Sequence, residues 1–218
     1  MTVSTPRQGT AHMVVEELTR ARAPRPDGND FLVRLREGAV TADDLRRLVH
    51  AETVAATAEA MAYAAMAVRH PHSLFPDLLD MAYQAKPKIV ECARAMGLDD
   101  EQIAQAPTRF SAFAYPSFLA WLALHADRAG LGATIYTDLN GYYTGSALVA
   151  EGLRAAGPEV PGDLIDYYSS PVPEGLCDGA LALLREGLEA GDDAAEALRL
   201  GEMMETSLAA FWRSALSE

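Results

Sequence analysis

Between Thr41 and His70 the chain runs without a glycine or a proline, and that stretch limits the folds open to it. Thr41-Ala-Asp-Asp44 opens it as a capping box, with Asp in place of the usual Glu. Pro71 closes it, because the proline ring cannot continue a helical ladder. Ala, Leu, Glu and Arg, which lose little rotamer freedom in a helix, are abundant along the chain. The alternation that marks a half-buried strand is rare throughout the chain. The same reading predicts helices over 8–22, 30–37, 74–96 (bent at Pro87), 100–105, 115–129, 131–155, 162–169, 174–190 and 192–216. Pro24, Pro26, Gly28, Gly38, Gly97, Gly130, Gly157, Pro171 and Gly191 mark the joints. There is no internal repeat and no long linker, so residues 1–218 read as one all-α domain of long antiparallel helices.

Composition narrows the partners. The net charge is −13, the wrong sign for a nucleic-acid surface, which needs clustered Lys and Arg. The N-terminus lacks the apolar core of a signal peptide, and the run AWLALHA is too short to span a membrane. These features lead to the expectation of a cytoplasmic protein that engages neither nucleic acid nor membrane. Cys92 and Cys177 sit in apolar helical patterns and read as buried thiols. No Cys/His cluster points to zinc, and no metal or other cofactor is expected.

Polar groups interrupt the apolar stripes of four helices. Leu45, Leu48, Glu52, Ala55, Glu59 and Tyr63 share one face of the long helix. Leu131, Ile135, Asp138, Tyr142, Gly145, Val149 and Leu153 form another stripe, with Asp138 and Tyr142 on consecutive turns. Tyr115, Leu119, Leu122 and His125 line up on the helix between them; Pro116 suits a first helical position and puts Tyr115 at the helix mouth. Leu198, Gly201, Glu205, Leu208 and Trp212 make the last stripe, with Met203, Met204 and Phe211 beside it as packing. A carboxylate on an apolar face must be paired, protonated or turned to a wet cavity. Four such helices converging is the form of a small-ligand site in a bundle. Scattered structural polars, with His125 as a hydrogen-bonded core residue, are the alternative.

Several segments, in order, resemble one family. NDFLVRLREGAVTADDLRRLVHAE resembles the opening of TenA/thiaminase II-type proteins, with Asn29-Asp30-Phe31 where the family has His-Pro-Phe. PTRFSAFAYPSFL, IDYYSS and METSLAAFWRSAL resemble that family's later segments. The resemblance implies a haem oxygenase-like bundle of about seven to nine helices around one pocket. It places Glu52 at the family's pyrimidine-binding acid and Tyr115 at the tyrosine that packs on the ligand. Tyr142 and either Tyr167 or Tyr168 fall at further pocket tyrosines. Asp138 falls where the family has its catalytic Cys, so the nucleophile is absent. Leu208 occupies the family's glutamate position, and Glu205 lies one turn earlier, about 4.5 Å along the axis.

The resulting expectation is a small-molecule enzyme similar to TenA-type aminopyrimidine hydrolases. Asp138 and Glu205 would carry proton transfer or attack, and Glu52, Glu59, Tyr115, Tyr142, Tyr167 and Tyr168 would hold the ligand. The alternative is a diverged protein of the same fold that acts on, or only binds, another small molecule in a specialised biosynthetic pathway. Metal or haem chemistry has less support. DMAYQAKPKIVEC lacks a Glu-x-x-His pair, and GTAH at His12 resembles a haem-oxygenase segment only superficially. The resemblance also implies a homodimer or homotetramer.

Overall fold

A computed structural model describes residues 8–22, 29–156 and 159–216; the expected breaks at Pro24, Pro26, Gly28 and Gly157 lie outside them. The described residues form ten helices: α1 (Gln8–Arg22), α2 (Asp30–Arg36), α3 (Ala42–Arg69), α4 (Leu74–Ala95), α5 (Asp100–Ala104), α6 (Phe110–His125), α7 (Arg128–Ala156), α8 (Gly162–Tyr168), α9 (Leu176–Ala190) and α10 (Ala194–Ser214). All ten helices read from the sequence are present; the count exceeds the seven to nine that the resemblance implies because it includes the short α2, α5 and α8 of 7, 5 and 7 residues. No helix among the described residues is long and apolar enough to cross a membrane.

The capping box forms. Thr41 Oγ1 accepts from the Asp44 amide at 3.2 Å, and Asp44 Oδ2 accepts from the Thr41 amide at 2.8 Å. With its first amides satisfied, α3 runs 28 residues, about 42 Å. It packs on α4 and α6, while α7 packs on α9 and α10, and α6 against α10 joins the two halves. The halves share one core that includes Leu45, Leu48, Met66, Phe75, Ile89, Leu119, Leu131 and Tyr168.

Glycine lets α7 and α9 approach closely. A Cβ on Gly132 would lie 2.3 Å from the Leu184 amide nitrogen, and one on Gly187 would lie 2.3 Å from that of Ala129. Gly145 leaves room for α10, receiving the Trp212 indole, with a Cβ position 3.1 Å from its ring.

The α6–α7 boundary departs from expectation. α6 begins at Phe110 rather than 115, so Pro116 lies inside it and Tyr115 is buried in mid-helix, not at the mouth. The early start is held by Arg109, whose guanidinium donates to the Ser214 and Leu216 carbonyls at the end of α10. This anchor outweighs the hydrogen bond that proline forfeits. α6 ends at His125, and α7 starts at Arg128 because Asp127 Oδ1 caps it, accepting from the Gly130 amide at 2.8 Å. Gly130 is therefore a first-turn residue rather than the joint. His125 is exposed at the helix end with its ring 5.3 Å from Trp121, so it is no core residue. Met203 is 40% exposed, whereas Met204 and Phe211 do pack in the core.

Because backbone atoms crowd Gly132, Gly132→Ala should cost about 1–3 kcal/mol of stability. Urea denaturation checks this, with Gly162→Ala, where a Cβ meets nothing within 4 Å, as the neutral comparison.

Candidate functional site

The stripes of α3 and α7 meet at a cavity of about 50 Å³, room for a few waters. Glu52 and Glu59 line it from α3, Tyr115 from α6, Asp138 and Tyr142 from α7, and Tyr167 from α8. Sequence reasoning missed six further lining residues: Tyr63, Tyr143 and Met81, and the smaller or apolar Ala56, Ala85 and Leu139. Tyr63 was legible as the next turn of the Glu52–Glu59 stripe. Tyr143 lies about 100° around α7 from Tyr142, off the stripe, and its hydroxyl contacts Met81 Sδ at 3.3 Å. Tyr168 is fully buried outside the lining, with its ring edge-on to Tyr167 and tilted against Trp212. Glu205 is partly buried on α10 and is not part of the lining, although its charge reaches Asp138.

Tyr115 organises the acids. Its hydroxyl lies 2.9 Å from Glu59 Oε1 and 2.9 Å from Asp138 Oδ2. A phenol carries one proton. It can donate to only one carboxylate, so for both contacts to be hydrogen bonds the other acid must be protonated and donate to the phenol oxygen. The second oxygen of Asp138, Oδ1, is buried without a hydrogen-bond partner. One turn along α7, the Tyr142 hydroxyl donates to Glu52 Oε1 at 2.9 Å. Tyr142 stacks on Trp212, with centroids 5.9 Å apart and planes at 13°.

The electrostatics agree with a shared proton. Burial raises the Glu52 carboxyl to about 8, the Glu59 charge adds to this, and the Tyr142 hydrogen bond opposes it. Burial also raises Glu59, against the Tyr115 hydrogen bond. Asp138 is held well above the carboxylate range by burial and by the nearby Glu59 and Glu205 charges. Among the described residues no Lys, Arg or His lines the cavity to offset these three acids.

Other candidates fall outside. Neither Cys92, which is buried, nor Cys177, which is only partly buried, lines the cavity. His12 is exposed on α1, 3.1 Å from Glu16. Among the described residues no group of three His, Cys, Asp or Glu is placed to hold a metal ion.

No protein-family model and no curated protein sequence matches the chain. Its fold is that of a TenA homologue from Pyrococcus furiosus, whose X-ray structure aligns with a TM-score of 0.72 over 93% of this chain and 100% of that one, at 15% identity. The architecture is therefore a haem oxygenase-like helical fold.

The raised Glu52 carboxyl sets a sign for stability against pH. Below pH 4.5 the group is neutral whether folded or unfolded; between 4.5 and about 8 only the unfolded chain releases the proton. Stability is thus fully present below 4.5 and declines as pH rises through about 8. Glu52→Gln should flatten this decline in melting temperature across that range, and parallel curves for the two proteins would remove the assignment.

Proposed function

We propose that the cavity binds a small, planar, cationic nitrogen compound of the aminopyrimidine class and that the chain hydrolyses a C–N bond in it. The supporting observation is the pairing of two buried acids, Glu52 and Asp138, and the partly buried Glu59 with a wall of tyrosines and, among the described residues, no basic side chain in the lining. An amidine-like ring edge presents paired N–H donors and a delocalised positive charge. Glu52 would take that edge, and the unpartnered Asp138 Oδ1 offers a second acceptor. Tyrosine faces suit a flat cation. The likeness in fold to a TenA homologue points the same way.

The chemistry then uses the shared proton. Glu59, ionised while Asp138 holds the proton, removes a proton from water; the oxygen attacks the carbon bearing the amine, a C–O bond forms and the C–N bond breaks. The protonated acid gives its proton to the departing nitrogen, which leaves as ammonia. Glu205 is a positioning residue in this scheme, keeping the Asp138 proton affinity high through its charge. A heterocycle needs more room than about 50 Å³, so binding requires lining side chains to swing aside; Tyr143 and Tyr167, both only partly buried, are the rings placed to do so.

A second reading is favoured by the cysteines, neither of which reaches the cavity. On that reading the protein binds a small molecule of another pathway without turning it over. Association of copies of this chain, a further part of the proposal, is supported by the exposed apolar side chains of α6, among them Phe110, Trp121 and Leu124.

Incubation with a 4-amino-5-aminomethylpyrimidine should release ammonia, and Asp138→Asn should lower kcat by about 100-fold or more while the ligand still binds. Saturable binding without release moves the conclusion to the binding protein; neither binding nor release overturns both.

A further inference from the structure

A second concavity lies on the opposite face of α3 from the acids. Glu52, Ala56, Glu59 and Tyr63 face the tyrosine cavity, whereas Arg46, Arg47 and His50 line a groove of about 580 Å³ with Gln102, Thr108 and Arg109. That volume is within the usual range for small-molecule sites. Its charge runs against the rest of the molecule. In a chain of net charge −13, the described residues lining this groove include three guanidiniums and a single carboxylate, that of Asp43.

The fold holds these cations in place. Arg46 Nε donates to the Met96 carbonyl at 2.9 Å, and one of its terminal nitrogens donates to Asp43 at 2.5 Å. Arg47 Nε donates to the Ala215 carbonyl at 2.9 Å, with a terminal nitrogen on Asp44. Arg109 spends both terminal nitrogens on neutral carbonyls, those of Ser214 and Leu216, and pairs with no carboxylate among the described residues. His50 Nε2 lies 3.0 Å from the Gln105 carbonyl. Asp43 and Asp44 offset two of the guanidiniums, and the end of α10 contributes the negative pole of its dipole. The acids that open α5 lie outside the lining, Asp100 paired there with Arg94. Among the described residues a net positive charge remains, on side chains already immobilised and flanked by amide and hydroxyl donors.

We propose that this groove is a binding site, separate from the acid cavity, for a small organic molecule bearing a phosphate or carboxylate group. Planar guanidiniums fixed by backbone contacts recognise oxyanions at little ordering cost. The apolar part of such a ligand would rest on Ala51, Leu98 and Ala112.

Isothermal titration calorimetry at matched ionic strength, with inorganic pyrophosphate and citrate as probes, tests this on the full chain. Saturable millimolar or tighter binding of at least one probe is expected. Arg46→Gln, on a half-exposed side chain whose loss leaves the α10 contacts intact, should weaken it about tenfold or more. Arg109→Gln should weaken it at least as much if that variant folds; if it does not, Arg46→Gln decides alone. Pyrophosphate binding assigns phosphates and citrate binding assigns carboxylates, and Glu52→Gln should change neither affinity, which separates this site from the acid cavity. No saturable binding of either probe, or binding indifferent to Arg46→Gln, overturns the proposal.

Discussion

One phenol proton lies between two carboxyl groups. Tyr115 on α6 reaches Glu59 on α3 and Asp138 on α7 with equal contacts of 2.9 Å, so three helices from both halves of the bundle converge on one hydrogen-bonded unit. An unpaired carboxylate there would carry a heavy desolvation cost. Protonation and the phenol contact reduce that cost, which lets the acids persist in the core. Glu52 and Tyr142 form a second such pair one to two turns away, backed by the Trp212 ring.

The remainder of the bundle keeps this unit in place. α3 and α7 are held by different partners, α3 by α4 and α6, α7 by α9 and α10. At Gly132 and Gly187 the backbones of α7 and α9 approach too closely for any side chain. With both walls fixed by packing elsewhere, the side chains between them keep a small gap rather than collapsing on it. The two faces of α3 then carry opposite electrostatics, acids toward the cavity and guanidiniums toward the outer groove. One long helix can do this because its faces stay in register over 28 residues.

Much of this was legible in the residues because helical periodicity is local. The spacing of Glu52, Glu59 and Tyr63, and of Asp138 and Tyr142, put each set on one face, and the structure brings both faces to the same cavity. The pairing across helices was not legible. Nothing in the sequence of α6 says that Tyr115 meets Glu59 and Asp138, because neighbours in space are chosen by packing of the whole chain. The start of α6 was misplaced for a related reason: Pro116 is a strong local signal, and the Arg109 anchor that overrides it depends on carbonyls about a hundred residues away at the end of α10. Asp127 was passed over as a cap because Gly130 drew the boundary toward itself. Glu205 sat on a stripe with the right period, yet it lies outside the cavity lining, and its charge raises the Asp138 carboxyl.

Infrared spectroscopy of the ligand-free protein at neutral pH bears most directly on the shared proton. A carbonyl stretch from a protonated carboxyl group should be present, should shift in deuterated water, and should diminish in Asp138→Asn and in Glu59→Gln. A spectrum with only ionised carboxylates at that pH would mean that no proton is shared around Tyr115 and would contradict the acid–base scheme built on it.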